Sequence, residues 1–208
     1  MADASADGGA VRFCDELDFA FGWISPSPSH LQRASHALAD EGRVWIVDPV
    51  DGEGVVNRIR ALGDPFAVVQ LLDRHDRDCA ALASDLRVPH YAPPYADLPD
   101  SPFRVVSVVS RRLWREVALW WPGRATLVCG DALGTAPYFL GPGERLAVHP
   151  LLRLTPPREL AALSPWHVLV GHGEGVHGDT AAAAVAEAVT SSRRRLRRWI
   201  WRLVKEER

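Results

Sequence analysis

The chain has 208 residues, of which 47% are hydrophobic and 24% are charged, with eight Trp, 16 Gly and 16 Pro. This length and apolar content exclude a disordered or collagen-like chain and predict a single globular domain, or at most two small ones. No apolar run approaches the roughly 20 residues that a membrane-spanning helix needs, and the first ten residues are small, polar and acidic. Because they lack the basic start and apolar core of a secretory signal, we expect a cytoplasmic protein.

Charge is distributed unevenly along the chain, although the net value is only −2. From Arg193 onward, eight basic residues are opposed only by Glu206 and Glu207, which gives +6 and leaves −8 for residues 1–192. The three cysteines lie far apart and form no C-x-x-C pair, at Cys14, Cys79 and Cys129. They therefore indicate neither a disulfide framework nor a zinc ribbon, and we expect three buried thiols.

The first half of the chain alternates between strand and helix patterns. Residues 1–11 are expected to form a leader, and residues 31–38 show no clear pattern. Apolar and β-branched runs predict strands over 19–24, 43–48, 67–72 and 88–91, and helical spacing predicts helices over 54–62 and 76–86. Strands that alternate with helices predict parallel pairing with helical crossovers.

The second half of the chain has a different sequence pattern. Short strands over 103–109, 117–121 and 125–129 are separated by polar turns, which predicts an antiparallel meander. A brief helix over 156–163, a strand over 167–170 and an Ala-rich helix over 180–190 follow. We therefore predict an α/β domain over residues 12–190, in which helices cover a mixed sheet, and a basic amphipathic helix over 191–208.

Three loops leave the carboxyl ends of predicted strands with groups that suit a metal ion. They cover residues 73–78 (DRHDRD), 130–133 (GDAL) and 171–174 (GHGE). Ligands collect outside the carboxyl ends of strands in open α/β sheets, and imidazoles and carboxylates bind zinc, iron or manganese. These loops are the candidate site.

The order and spacing of these segments resemble the metallo-β-lactamase fold superfamily of metal-dependent hydrolases. The resemblance covers about residues 19–190 and rests on RVWIVDP (43–49), AVVQLLDRHDRDCAAL (67–82), TLVCGDAL (126–133) and HVLVGHGE (167–174). It implies a four-layer αβ/βα sandwich with mixed sheets, whose metal site lies at one edge between the two sheets.

The main ligand loop departs from the pattern that the resemblance implies, which is His-x-His-x-Asp-His. Only His75 is kept, and the other three positions hold Asp73, Arg77 and Asp78. The pattern also places a His shortly before the GDAL strand, where this chain has Arg112 within RRLWR at 111–115. The remaining ligand positions of the pattern are kept as Asp131 and His172.

Two interpretations of this eroded site stay open. Because an arginine cannot shed its proton, Arg77 and Arg112 oppose a second cation, and the resemblance then implies at most one zinc, iron or manganese ion. His75, Asp131 and His172 would hold it, and Asp73 or Asp78 would be a further ligand or a general base in the hydrolysis of an ester, thioester or phosphoester. Without a metal, Arg77 and Arg112 would bind a small anionic molecule, such as a carboxylate or a phosphate, in a pocket that also contains His75 and His172.

Competing motifs carry less weight. Residues 173–178 read literally G-x-G-x-x-G, but no second parallel strand follows the helix that ends near residue 190, which argues against a dinucleotide site. The chain contains neither a G-x-S-x-G elbow nor a P-loop. We expect His90 and His149 to be structural and His177 to lie at the surface.

The basic segment from Arg193 to Arg208 has two interpretations. Its apolar residues fall at helical spacing, at Leu196, Trp199, Ile200, Leu203 and Val204. We expect this stripe to dock on the domain, with the arginines in water. The alternative is a basic amphipathic helix that binds nucleic acid or an anionic membrane surface.

Overall fold

A computed structural model describes residues 10–26 and 31–206. It contains two large β-sheets that pack face to face. The strands of the first sheet are β1 (Arg12–Leu17), β2 (Ala20–Ile24), β3 (Ala34–Asp40), β4 (Arg43–Val47), β5 (Asp64–Val69) and β6 (His90–Tyr91). They lie in chain order across the sheet. Strands β1 to β4 pair with one another in antiparallel fashion, whereas β5 pairs in parallel with β4 and β6 with β5, as predicted for this alternating part of the chain.

The second sheet has the order β13-β12-β9-β8-β7. Its strands are β7 (Arg104–Arg111), β8 (Trp114–Trp121), β9 (Thr126–Cys129), β12 (His167–Val170) and β13 (Val176–His177). The antiparallel meander of β7, β8 and β9 is as predicted, and β12 joins β9 in parallel. A separate two-stranded sheet pairs β10 (Leu133–Gly134) with β11 (Ala147–Val148).

Helices cover the outer faces of both sheets. Helices α1 (Val55–Leu62) and α2 (Cys79–Leu86) pack on the first sheet, and α3 (Ala181–Glu206) packs on the second.

Side-chain alternation explains the layers, because successive residues of a strand point to opposite faces. In β4, Ile46 packs toward α1 and α2, whereas Trp45 enters the core between the sheets. In β12, Leu169 enters the same central core and Val168 packs toward α3. The predicted four-layer αβ/βα sandwich is therefore confirmed.

Some elements differ from the sequence expectations. Residues 1–9 of the predicted leader, and residues 207 and 208 of the predicted basic helix, lie outside the described residues, and β1 already begins at Arg12. Strand β3 lies where no pattern is visible. The predicted helix over 156–163 is a short 3-10 turn at Arg158–Ala162, because two prolines precede it and only five residues are available. Helix α3 runs without a break through both predicted helices of the last part of the chain.

Two further observations concern the side chains. All three cysteines are free and buried, as expected. His177 is half-buried rather than at the surface, because its Nε2 atom lies 2.9 Å from Oδ1 of the buried Asp15, which joins β13 to β1. Among the described residues, no helix has the length and apolar content needed to cross a bilayer.

Candidate metal centre

Three loops bring one imidazole, one carboxylate and a second imidazole together at the edge between the sheets. His75 follows β5, Asp131 follows β9 and His172 follows β12, and all three side chains are buried. Their ligand atoms lie within 4.8 Å of one another. Oδ1 of Asp131 is 3.0 Å from Nε2 of His75 and 3.2 Å from Nε2 of His172. The carboxyl ends of β9 and β12 meet here because these two strands are parallel neighbours.

A glycine precedes two of the three residues and lets their loops approach closely. The amide N–H of Gly171 donates to the carbonyl oxygen of Gly130 at 3.1 Å. A Cβ atom on Gly171 would lie 2.9 Å from that oxygen and 3.0 Å from Cε1 of His75, so a larger residue would push the loops apart. The loop then turns at Gly173, whose φ of +92° is strained for other residues.

The outer nitrogen of each imidazole is engaged by a group that fixes its orientation. Nδ1 of His172 lies 2.9 Å from the carbonyl oxygen of Leu31, and Nδ1 of His75 lies 2.7 Å from Oδ2 of Asp48. A carbonyl or carboxylate oxygen only accepts, so Nδ1 carries the proton and Nε2 of each neutral ring keeps a lone pair that faces Asp131. This is the arrangement that orients metal-binding histidines in proteins.

Asp131 itself supplies the strongest indication of a cation. Its Oδ1 atom is buried and has no hydrogen-bond partner among the described residues, although two imidazole nitrogens lie within 3.2 Å. The three ligand atoms thus face a common point without satisfying one another. Two imidazole nitrogens and one carboxylate oxygen match the ligand preferences of zinc, iron and manganese, and these residues therefore fit one such ion.

The charges around the cluster also favour a bound cation. Burial and the charge of Arg77 lower the pKa of His75, but the carboxylates of Asp48 and Asp131 outweigh them and raise it above its ordinary value. Burial acts to raise the pKa of Asp131, yet His172 and His75, when protonated, donate to its carboxylate and hold that pKa well below its usual range. The carboxylate consequently stays ionised, and the pocket stabilises positive charge beside it.

Both terminal nitrogens of Arg77 hold the backbone around the cluster. Its Nη1 donates to the carbonyl oxygens of Ala34 at 2.6 Å and Asp48 at 2.9 Å, and its Nη2 donates to that of Gly171 at 3.0 Å. The same Nη2 lies 3.4 Å from Nε2 of His75. The guanidinium therefore joins β3 to two loops of the site, and its fixed charge opposes a second cation nearby.

Arg74, which the sequence analysis missed, lies at the mouth of the cluster. Its guanidinium stacks 4.2 Å above the ring of Trp114, and Nη2 lies 3.7 Å from Oδ2 of Asp131. Nη1 donates to the carbonyl oxygen of Leu113 at 3.0 Å, and the side chain is 46% exposed. An arginine that is half in water and held over an ionised carboxylate is available to an anionic group of a ligand.

The other predicted site residues lie outside the three-residue cluster. Oδ2 of Asp73 accepts from the amide of Arg115 at 3.0 Å, and its Oδ1 is buried without a hydrogen-bond partner among the described residues. Oδ2 of Asp78 accepts from the amide of Asp51 at 2.7 Å. Arg112 is exposed in the turn between β7 and β8. Of the seven predicted residues, the structure thus brings together His75, Asp131 and His172 and places Arg77 directly behind them.

Two buried carboxyl groups support the cluster and were not predicted. Asp48 directly follows β4. Like the three candidate loops it lies at the carboxyl end of a strand, but the sequence pattern places it inside the strand predicted over 43–48. Glu116 on β8 accepts from the amide of Ala132 at 2.7 Å and from Nε1 of Trp114 at 2.8 Å. Burial, with the nearby charge of Asp131, raises the pKa of Glu116 to about 8. No sequence signal near Glu116 indicates this role.

Comparisons with solved structures agree with this architecture. The crystal structure of DIM-1 metallo-beta-lactamase matches 88% of this chain and 99% of its own, with a TM-score of 0.58 and 16% identity. A metallo-beta-lactamase from Erythrobacter litoralis matches 89% of this chain and 99% of its own, with a TM-score of 0.62 and 10% identity. For BLEG-1 B3 metallo-beta-lactamase the shares are 79% and 94%, with a TM-score of 0.52 and 18% identity. No family model and no curated protein matches the sequence. The layers, the strand order and these similarities show that the chain has the metallo-β-lactamase fold.

Proposed function

We propose that this protein is a hydrolase that uses one divalent metal ion to cleave an anionic ester, thioester or phosphoester. The observation that carries the proposal is the convergence of two imidazole Nε2 atoms, at 3.0 and 3.2 Å, on Oδ1 of Asp131, a buried atom that has no hydrogen-bond partner among the described residues. Nε2 of His75, Nε2 of His172 and Oδ1 of Asp131 would hold the ion. When bound, a divalent ion supplies Lewis-acid polarisation of a carbonyl or phosphoryl oxygen.

A single ion agrees with the charges around the cluster. Asp48 and Asp131 contribute two negative charges, and the guanidinium of Arg77 contributes one fixed positive charge only 3.4 Å from Nε2 of His75. A second divalent ion would meet this guanidinium, and among the described residues the cluster contains no carboxylate other than that of Asp131. We therefore infer a site for one ion rather than two.

The remaining residues of the site account for substrate binding. Arg74 can turn its exposed guanidinium from Trp114 toward a carboxylate or phosphate of the substrate. The ring of Phe139 lies 5.6 Å from that of His172 and forms an apolar wall beside it. Asp131 remains ionised in this environment, which keeps it a ligand rather than a proton donor.

A second candidate function is non-catalytic binding of an anionic molecule on the same fold. The observation in its favour is that arginines occupy two positions close to the cluster, Arg74 at its mouth and Arg77 behind it. In this case the three-residue cluster would hold a proton on His75 instead of an ion. The two candidates differ in metal content, which is directly measurable.

The test is elemental analysis of protein prepared without a polyhistidine tag and incubated with zinc, manganese or iron. We expect about one equivalent of one metal in the parent and less than a tenth as much in Asp131→Asn and His172→Ala. The matched control is His90→Ala, which removes an exposed imidazole outside the cluster and is expected to leave the metal content unchanged.

Activity is then measured on aryl esters, a thioester and an aryl phosphodiester. Metal-dependent turnover that both cluster variants lose supports the hydrolase. Metal binding without turnover on any of the three substrate classes, or no metal in any protein, overturns it. In the second case, protection from thermal unfolding by phosphate or citrate that is lost in Arg74→Gln would support the anion-binding protein.

A further inference from the structure

Helix α3 uses two opposite faces in its last four turns, from Ser192 onward. On one face, Oγ of Ser192 donates to the carbonyl oxygen of Arg153 at 3.1 Å, and Nε1 of Trp199 donates to that of Tyr138 at 2.8 Å. The Trp199 ring also meets the ring of Tyr138 edge to face at 6.0 Å. This face holds the helix on the domain, as expected for the apolar stripe.

The other face carries apolar side chains that are about half exposed. Ile200 is 48% exposed, Trp201 is 56% exposed and Val204 is 51% exposed. Trp201 follows Trp199 by two residues, and at about 100° per residue the two indoles point to nearly opposite sides of the helix. Ile200 and Val204, which the sequence pattern assigned to the docked stripe, therefore belong to the outer face.

Arginines surround these apolar side chains. Four of them are exposed on the same part of the helix, at Arg193, Arg194, Arg197 and Arg198. Trp201, Arg197 and Arg198 line an open groove of about 400 Å³ together with Pro142. At the other end of the face, Nε of Arg193 donates to the carbonyl oxygen of Leu154, whose side chain is 60% exposed. Cationic and apolar side chains thus alternate over one continuous surface, which we call the α3 outer face.

We propose that the α3 outer face binds the surface of an anionic lipid bilayer, with the helix lying in the plane of the interface. Arginine side chains pair with lipid phosphates, while Trp and aliphatic side chains enter the boundary between headgroups and acyl chains. Charge supports this orientation, because residues 1–192 carry −8 and the segment from Arg193 carries +6. An anionic surface therefore repels the body of the protein as a whole and attracts the segment that forms this face.

Lipid fits the outer face better than nucleic acid does. Nucleic acid would engage the arginines and stack bases on Trp201, but it offers nothing to exposed aliphatic side chains such as Ile200 and Val204. A bilayer interface accommodates the guanidinium groups, the indole and the aliphatic groups at the same time. The lipid surface is therefore the partner that accounts for every exposed residue type on this face.

The experiment is co-sedimentation of the full chain with vesicles. We expect binding to vesicles of phosphatidylcholine and phosphatidylserine, weakening as salt is added, and little binding to phosphatidylcholine alone. The triple variant Arg194→Gln, Arg197→Gln, Arg198→Gln should bind more weakly by about fivefold per arginine removed. The double variant Ile200→Ser, Trp201→Ser should also lose binding while keeping the docked Trp199.

A matched control separates a specific face from net charge. The triple variant Arg60→Gln, Arg87→Gln, Arg104→Gln removes the same charge from exposed positions of the body and should bind like the parent. Equal melting temperatures for all variants would show that the fold is intact. Absence of binding to the anionic vesicles at low salt, or equal loss in the control triple variant, overturns the proposal. Salt-sensitive binding to a single-stranded oligonucleotide without vesicle binding overturns it in favour of nucleic acid.

Discussion

The carboxylate of Asp48 and the imidazole of His75 are joined at 2.7 Å across 27 residues of chain. Asp48 has a positive φ of 45°, a conformation that Asp and Asn tolerate better than most residues. Its other oxygen, Oδ1, accepts from the amide of Leu71 at 2.8 Å. Both carboxylate oxygens are thus fixed, and one of them sets which nitrogen of His75 faces Asp131.

We expect Asp48→Asn to weaken metal binding without abolishing the site. Asn keeps the size of Asp and its tolerance of positive φ, but its amide group can donate to Nδ1 of His75 and thereby shift the proton to Nε2. Loss of such an orienting partner costs about 10- to 100-fold in metal affinity. Competition with a chromogenic chelator measures the change, and Asp85→Asn, an exposed position on α2, is the matched control. Equal affinities for the two variants would contradict this role for Asp48.

Arg77 is expected to be more important for stability than for binding. Arg77→Met removes three hydrogen bonds from a charged donor, although the hydroxyl of Ser35 still donates to the carbonyl oxygen of Asp48 and the amide of Ala34 to that of Gly171. Each hydrogen bond to a charged group contributes about 1.5–3 kcal/mol. We expect the free energy of unfolding in urea to fall by more than about 3 kcal/mol. Arg112→Met, at an exposed turn, should change it by less than about 0.5 kcal/mol. Similar values for the two variants would show that the three hydrogen bonds contribute little.

Two glycines with positive φ provide a matched pair of substitutions. A Cβ at Gly173 would lie 2.2 Å from Oγ1 of Thr135 and 2.7 Å from the amide nitrogen of Ala136, whereas a Cβ at Gly178 would meet nothing within 4 Å. Gly178→Ala should therefore cost only the backbone strain, about 1 kcal/mol. Gly173→Ala should cost more and also lower the metal content, because the displaced loop carries His172. Thermal unfolding and elemental analysis of the two variants test this, and an equal loss of stability would contradict it.

His149 is expected to make stability depend on pH. Burial lowers its pKa from 6.5 to about 4, with Arg74 and His172 adding to the effect against the opposing charge of Asp131. Its Nδ1 also accepts from the amide of Leu151 at 3.2 Å, so a proton there breaks a hydrogen bond. Between pH 6.5 and 4 the unfolded chain binds more protons at this site, so stability falls as the pH falls, by up to about 3 kcal/mol.

His149→Asn removes this titration and keeps an acceptor for the amide of Leu151. We expect the slope of unfolding free energy against pH to become shallower than in the parent between pH 6.5 and 4, as measured by urea titration at several pH values. The comparison variant is His90→Asn, whose side chain is exposed. A slope that is unchanged in His149→Asn, or reduced equally in His90→Asn, would assign the pH dependence to other groups.

Local sequence patterns predict the parts of the fold that follow from side chains close in the chain. The strand at 43–48 and helix α1 are examples, because β-branched runs and helical spacing are local features. Strand β3, with the sequence ASHALAD, contains small and polar residues and becomes a strand because β2 and β4 pair with it on both sides. No local pattern contains that information.

The candidate site shows the same division. The positions of His75, Asp131 and His172 at the ends of strands are sufficient to select them as candidates, and the charge of Arg77 is sufficient to argue against a second cation. The three carbonyl acceptors of Arg77 belong to residues 34, 48 and 171. These residues lie far apart in the sequence, and no local pattern predicts that they meet. Arg74 was overlooked because its position over Trp114 depends on the packing of β8.

The wide separation of the site residues along the chain has a consequence for folding kinetics. The contact that orients His172 joins it to Leu31 across 141 residues, and a bond from His36 to the carbonyl of Val170 spans 134. Contacts of such high sequence separation form late, because the entropy of closing large loops must first be overcome. A nascent chain that has not yet emerged past residue 172 has no complete ligand set. An ion would therefore bind only after the two sheets have packed together, and it would stabilise the folded sandwich. Removing it with a chelator should increase the rate of unfolding far more than it lowers the rate of the initial collapse.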